Sequence, residues 1–162
     1  MENKPESIVE CSSGTSSLVL SQCCKLNQCG HVYSLENAAE FADQTREQLV
    51  DFSLPEFCDV LHAPLKAVSL RAETFQWYDY TKLPDTPIDL LIIDGPSGFI
   101  QKHSRYPALP LLYDRLAQHC AVYLDDAARD DEQEIIERWL RIYPEFQLDY
   151  ISNERGCAVL RR

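Results

Sequence analysis

The sequence predicts an α/β fold: a three-layer sandwich with helices on both faces of a mostly parallel, seven-stranded sheet that closes in an antiparallel hairpin. Three observations predict it. Short apolar runs alternate with helix-like stretches along the 162 residues, and the first run ends in a small-residue turn, Ser12-Ser13-Gly14. The last two runs are separated only by residues 152–156, too few for a crossover, so they must pair as a hairpin.

Residues 1–6 read as a flexible polar lead-in containing Pro5. The first strand starts at Ser7 and ends at Glu10 or Cys11, and a helix opens at Thr15 or Ser16 and runs to Asn27. Its expected inward residues are Leu18, Val19, Leu20, Cys23 and Leu26, with polar residues up to Gly30 ending it. Residues 31–35 form the second strand. A helix over 38–52 follows, with Phe41, Thr45, Leu49 and Phe52 at helical spacing and Pro55 closing the segment.

The third strand covers 57–61 and is followed by His62. Residues 66–87 are the least regular, and their Trp77, Tyr78 and Tyr80 suit either a lid or a packed strand pair over the sheet edge. Residues 88–93 are nearly all apolar, as a central strand covered on both faces should be, and they end in Asp94-Gly95-Pro96. A loop over 97–107 carries Lys102, His103 and Arg105, and a helix is expected over 108–118.

Another buried strand at 120–124 ends in Asp125 and Asp126. Residues 129–143 form an amphipathic helix with Ile135, Ile136, Trp139, Leu140 and Tyr143 on one face. Its acids come early and Arg138 and Arg141 late, which suits the helix dipole. The strands at 146–151 and 157–160 make the closing hairpin.

At 162 residues and 45% hydrophobic, the chain suits one domain, 1–162, with a substantial core. Its net charge of -11 argues against nucleic acid and against anionic membrane surfaces as partners. Seven cysteines, an odd number, and no secretory signal or membrane-length apolar run predict a cytoplasmic protein. Cys23, Cys24 and Cys29 lack the paired spacing of a zinc site, so most cysteines are expected to act as small packing residues.

The turn at Ser12, Ser13 and Gly14 carries the functional signal. At the carboxyl end of a strand it gathers backbone N–H groups and the positive end of a helix dipole, which suits a nucleotide-like ligand. Glu36 lies 22 positions after Gly14, at the tip of the next strand, where a carboxylate can accept from ribose hydroxyls. The alternative reading is a simple helix cap and a solvated acid.

The run ECSSGTSSLVL resembles the first motif of class I S-adenosylmethionine-dependent methyltransferases, in which an acidic residue, here Glu10, precedes a glycine-rich turn. SLE at 34–36, DLLIIDGP at 89–96, AVYLDD at 121–126 and GCAVL at 156–160 follow in the order of that family. The resemblance implies a Rossmann-like fold and S-adenosylmethionine as cofactor, held by Glu10, Ser12, Gly14, Ser16, Glu36, Asn37, His62 and Asp94. Ser12 stands where the family carries its first glycine, and Ser16 at the third small position. A Cβ at Ser12 would reduce the close approach of backbone to ligand. Helices that many relatives carry before the first strand are absent from this sequence, so the expectation is either a more open site or cover from a second copy in a homodimer.

Asp94, Asp125 and Asp126 end two strands expected to be neighbours, and their like charges call for a shared proton or cation. By resemblance to metal-dependent O-methyltransferases they match the positions that hold a hard divalent ion such as Mg²⁺. The ion would bind and acidify a hydroxyl of a small-molecule substrate, with Asp94, Lys102 or His103 as catalytic or orienting residues. The other reading has Asp94 orienting ligand without metal and Asp125 and Asp126 capping the next helix. Two further functions stay open here: a non-catalytic relative with weakened cofactor affinity, and a nicotinamide-dependent oxidoreductase, against which the reversed last strand and the poor G-x-G-x-x-G match weigh.

Overall fold

A computed structural model describes residues 4–162. Its elements are β1 (Ser7–Cys11), α1 (Thr15–Asn27), β2 (His31–Glu36), α2 (Ala39–Asp51), β3 (Cys58–His62), β4 (Leu65–Leu70), β5 (Glu73–Tyr78), β6 (Ile88–Ile93), α3 (Ala108–Leu112), β7 (Leu116–Asp125), α4 (Asp130–Ile142), β8 (Gln147–Ile151) and β9 (Cys157–Arg161). Seven strands form one sheet in the order β3-β2-β1-β6-β7-β9-β8. All pair in parallel up to β7, whereas β9 runs antiparallel to both β7 and β8. The predicted architecture is therefore the observed one.

The strand order reverses at β1, with β2 on one side and β6 on the other. Such a switch point opens a crevice above the carboxyl ends of the strands, where ligands of doubly wound sheets bind. The strands around it are apolar because both faces are covered: Val9, Cys11, Leu91, Ile93, Val122 and Leu124 are all buried. No helix among the described residues is long and apolar enough to cross a membrane.

Several local expectations need correction. The first three residues of the expected lead-in lie outside the described residues, and Glu6 is held rather than loose: its N–H donates to Asp89 Oδ2 at 2.9 Å. The inward stripe of α1 is Ser17, Ser21 and Cys24, while Val19, Cys23 and Leu26 are exposed. Positions 17, 21 and 24 share a helical face as well as the expected apolar set does. Ser17 takes that face because a buried carboxylate, Glu10, lies beneath it and needs donors, while the Ser21 hydroxyl is satisfied by the Ser17 carbonyl.

In α2 the buried face is Ala42, Thr45 and Leu49, whereas Phe41 and Phe52 are exposed. The helix expected over 108–118 stops at Leu112 and gives way to a single 3-10 turn over Tyr113–Arg115. There Tyr113 stacks on Tyr143 at 4.3 Å between ring centres, and Leu116 already pairs with Ile88, so β7 begins before Cys120. A register shift between Ile88 and Leu90 absorbs the added length.

Residues 65–78 form an antiparallel hairpin, β4 with β5, outside the main sheet. Phe75, Trp77 and Tyr78 are buried under it, so the aromatic cluster is a packed flap. The seven cysteines are free thiols, and Cys11, Cys24, Cys58 and Cys120 are buried as packing residues.

Candidate active site

The turn after β1 is held from below. Ser12 N–H donates to Leu35 O at 2.9 Å, which ties the turn to the end of β2. Gly14 N–H donates to Ser17 Oγ at 3.1 Å, and Ser17 Oγ in turn donates to Glu10 Oε2 at 2.5 Å. Ser34 Oγ donates to the same carboxylate oxygen at 2.6 Å, while Glu10 Oε1 is buried without a partner. Burial pushes the Glu10 carboxyl above its ordinary value, and the hydroxyl donors oppose that shift.

Glycine geometry persists where glycine is missing. Ser12 has φ 113° and Gly14 φ 143°, both in the positive-φ range where a Cβ is a steric burden. The serine thus occupies backbone that the usual glycine would adopt freely, and it stores strain of about 1–3 kcal/mol.

Glu36 is placed by its neighbours. Its Oε1 accepts from Ala38 N at 3.0 Å and its Oε2 from Ser13 Oγ at 3.1 Å. Ser13 Oγ also lies 3.1 Å from Thr45 Oγ1, so the turn, β2 and α2 share one polar knot. A carboxylate offers about four lone-pair sites. Two bonds therefore leave Glu36 able to accept from a sugar diol.

On the far side of the crevice, β6 delivers Asp94, whose N–H donates to Cys11 O at 3.2 Å. Gly95 comes next, and the Tyr78 hydroxyl occupies the space that a side chain there would need. That hydroxyl has a pKa raised well above normal, chiefly by burial, so it stays a donor. Asp94 is also raised, first by burial and then by Asp125 and Asp126, with Arg105 opposing.

Arg105 had no assigned role in the sequence, yet it organises this end of the site. It is 3% exposed. Its Nη2 donates to Asp94 Oδ1 and Asp126 Oδ2, each at 3.1 Å, and its Nη1 donates to Asp125 O at 2.8 Å. Glu132 Oε1, from α4, lies 3.7 Å from Nη1. Arg129 and Arg155 approach Asp126 at 3.0 and 3.8 Å.

The candidate metal ligands Asp94, Asp125 and Asp126 do gather, with one oxygen of each within 4.8 Å of the others. A guanidinium already holds two of these carboxylates, however, and a divalent ion among them would lie against a buried fixed charge. The trio as arranged does not fit Mg²⁺. Nor do Asp125 and Asp126 cap α4, whose N-cap is Arg129.

These groups line a cavity of about 930 Å³ that includes Ser12, Gly14, Glu36, Asn37, Tyr78 and Asp94. Phe41, Thr45, Phe99 and Arg105 also face it. Of the other expected cofactor residues, Glu10 lies beneath the turn, Ser16 is exposed on α1, and neither it nor His62 lines the cavity. Lys102 and His103 also lie outside it: both pair with Glu134 of α4, at 2.8 and 2.6 Å. The structure therefore does not bring the expected Lys102 or His103 base to the site.

An S-adenosyl ligand fits the remaining set. The turn presents backbone at the head of α1, an added Cβ at Gly14 would meet nothing within 4 Å, and Glu36 keeps free acceptor sites.

Comparison with known proteins agrees with this geometry. Residues 9–127 match the family described as a methyltransferase domain. No curated protein sequence matches the chain. Among solved structures, a cofactor-bound protein from MTB superposes with TM-score 0.70 at 16% identity, over 97% of this chain and 72% of that one. An O-methyltransferase of tomaymycin synthesis from Streptomyces achromogenes, in complex with SAM, gives 0.68 at 13% identity over 97% and 73%. An O-methyltransferase from Bacillus cereus, in complex with SAH, gives 0.69 at 15% identity over 98% and 74%.

Proposed function

On the premise that this chain belongs to the methyltransferase-domain family, as the match over residues 9–127 establishes, we propose that it transfers a methyl group from S-adenosylmethionine to a hydroxyl of a small-molecule acceptor. The observation that carries the reading is that the Ser12–Gly14 turn, Glu36 and Asp94 converge on one cavity at the switch point of the sheet.

In this reading the turn and Glu36 hold the adenosyl moiety, with Asn37 beside its ribose. Bound there, S-adenosylmethionine would supply an electrophilic methyl group, whose bond to sulfur breaks as the acceptor oxygen bonds the carbon, with S-adenosylhomocysteine leaving. Asp94 faces the acceptor. One of its oxygens is held by Arg105, which leaves the other to take the hydroxyl proton. Its raised pKa makes it a better base than an ordinary aspartate. Tyr78 Oη lies against Gly95 at the cavity wall and is placed to donate to ligand.

The crystallised relatives in complex with SAM and SAH support the choice of cofactor. The acidic balance of the chain, -11, supports a small molecule over nucleic acid. A second reading, a relative that keeps the fold but binds the cofactor weakly, is favoured by one observation, the positive φ at Ser12.

Calorimetric titration with S-adenosylhomocysteine and, separately, NADH tests the proposal. Saturable binding of the first and none of the second is expected. The converse, or no binding of either, overturns it. Screening hydroxylated metabolites for methyl acceptance then identifies the acceptor.

A further inference from the structure

The acceptor side of the cavity has a charge arrangement that resolves a physical problem. Asp94, Asp125, Asp126 and Glu132 are gathered at the ends of β6 and β7 and the start of α4, and four carboxylates so placed repel one another unless compensated. Among the described residues the compensation is three guanidiniums: Arg105 at the centre, with Arg129 and Arg155 at 3.0 and 3.8 Å from Asp126.

Arg105 differs from the other two in burial. Its side chain is 4% exposed, whereas those of Arg129 and Arg155 are 53% and 74% exposed. A buried guanidinium cannot shed its charge, and its planar fork fixes the positions of the oxygens it holds. Mg²⁺ needs six oxygens in an octahedron at about 2.0–2.1 Å. Here Asp94 Oδ1 and Asp126 Oδ2 point at one nitrogen, Nη2, and the nearest Asp125 oxygen bonded to Arg105 is its carbonyl.

We propose that Arg105 is a built-in replacement for a divalent cation: a positioning residue that, with Arg129 and Arg155 beside it, compensates the carboxylates, aims Asp94 at the acceptor and keeps metal out. The proposal rests on the methyl-transfer reading of this cavity and narrows its substrate class. A bound divalent ion favours acceptors that chelate it through two neighbouring oxygens. A guanidinium whose terminal nitrogens are spent on protein oxygens imposes no such demand, so the acceptor needs only one hydroxyl.

The experiment titrates Mn²⁺, followed by electron paramagnetic resonance, into the full chain with and without S-adenosylhomocysteine. Wild type should leave the ion free up to about 1 mM. R105M, shown folded by circular dichroism, should gain Mn²⁺ affinity by at least about tenfold, because Asp94 and Glu132 then lose their guanidinium partner and Asp126 keeps only the exposed Arg129 and Arg155. R105K should stay silent, since it restores the charge. Stoichiometric uptake by wild type that D94N abolishes overturns the proposal, and so does silence from folded R105M. If R105M does not fold, the wild-type and R105K titrations decide alone, and uptake by either overturns it. Calorimetry of S-adenosylhomocysteine on the same samples reports the cofactor reading separately, so the two can fail independently.

Discussion

Ser13 Oγ donates to Glu36 Oε2 across 3.1 Å, joining the turn that follows β1 to the tip of β2. The two residues are 23 positions apart in sequence, and the bond aligns the loop with the carboxylate before any ligand arrives. Preorganisation of this kind lowers the ordering cost of binding.

Glu36→Ala should therefore weaken S-adenosylhomocysteine binding by about 1–3 kcal/mol, since it removes the acceptor proposed for the ribose and frees the turn. Calorimetry measures the loss, with circular dichroism as a check on folding. Unchanged affinity would remove Glu36 from the ribose site.

Ser12→Gly should stabilise the protein and tighten cofactor binding together. The strain at φ 113° is about 1–3 kcal/mol, which exceeds the roughly 0.5–1 kcal/mol of chain entropy that a glycine adds to the unfolded state. Urea denaturation should shift to a higher midpoint, and a lower midpoint would show that the serine is unstrained.

Gly95→Ala places a methyl group against the Tyr78 hydroxyl and should cost about 1–3 kcal/mol of stability through overpacking. Tyr78→Phe in the same chain removes the atom in the way and should recover most of the loss. Additive effects in the double mutant would contradict this contact.

Glu10 governs a pH dependence. Burial raises its pKa, so the folded protein holds this proton to higher pH than the unfolded chain does. The group therefore favours folding at pH below the ordinary carboxyl value of 4.5, and that contribution is lost as pH rises through the raised value. Glu10→Gln should melt at a temperature that gains on wild type as pH goes from about 5 to 8. A constant gap over that range would mean that the carboxyl is not perturbed.

Lys102→Ala and His103→Ala should leave S-adenosylhomocysteine affinity within about twofold of wild type, because both side chains pair with Glu134 away from the cavity. A larger loss would place the side chain concerned, Lys102 or His103, against the ligand.

The sequence by itself determined the succession of the main-sheet strands along the chain, the reversed final strand and the choice of Gly14 and Glu36, which line one cavity. These rest on local signals: apolar run length, a small-residue turn, and a connection too short to cross over. The tertiary structure alone decided which faces are buried and what compensates the acids. Ser17 turns inward because Glu10 lies beneath it, a demand from another element that periodicity does not carry, and Ser21 on the same face satisfies its hydroxyl on the Ser17 carbonyl. Arg105 sits in an aperiodic loop, and its meeting with Asp94 and Asp126, 11 and 21 positions away, depends on how that loop folds back over the strand ends. Charge compensation acts through space, so the spacing of the three aspartates could not reveal the arginine that holds the carboxylates of Asp94 and Asp126.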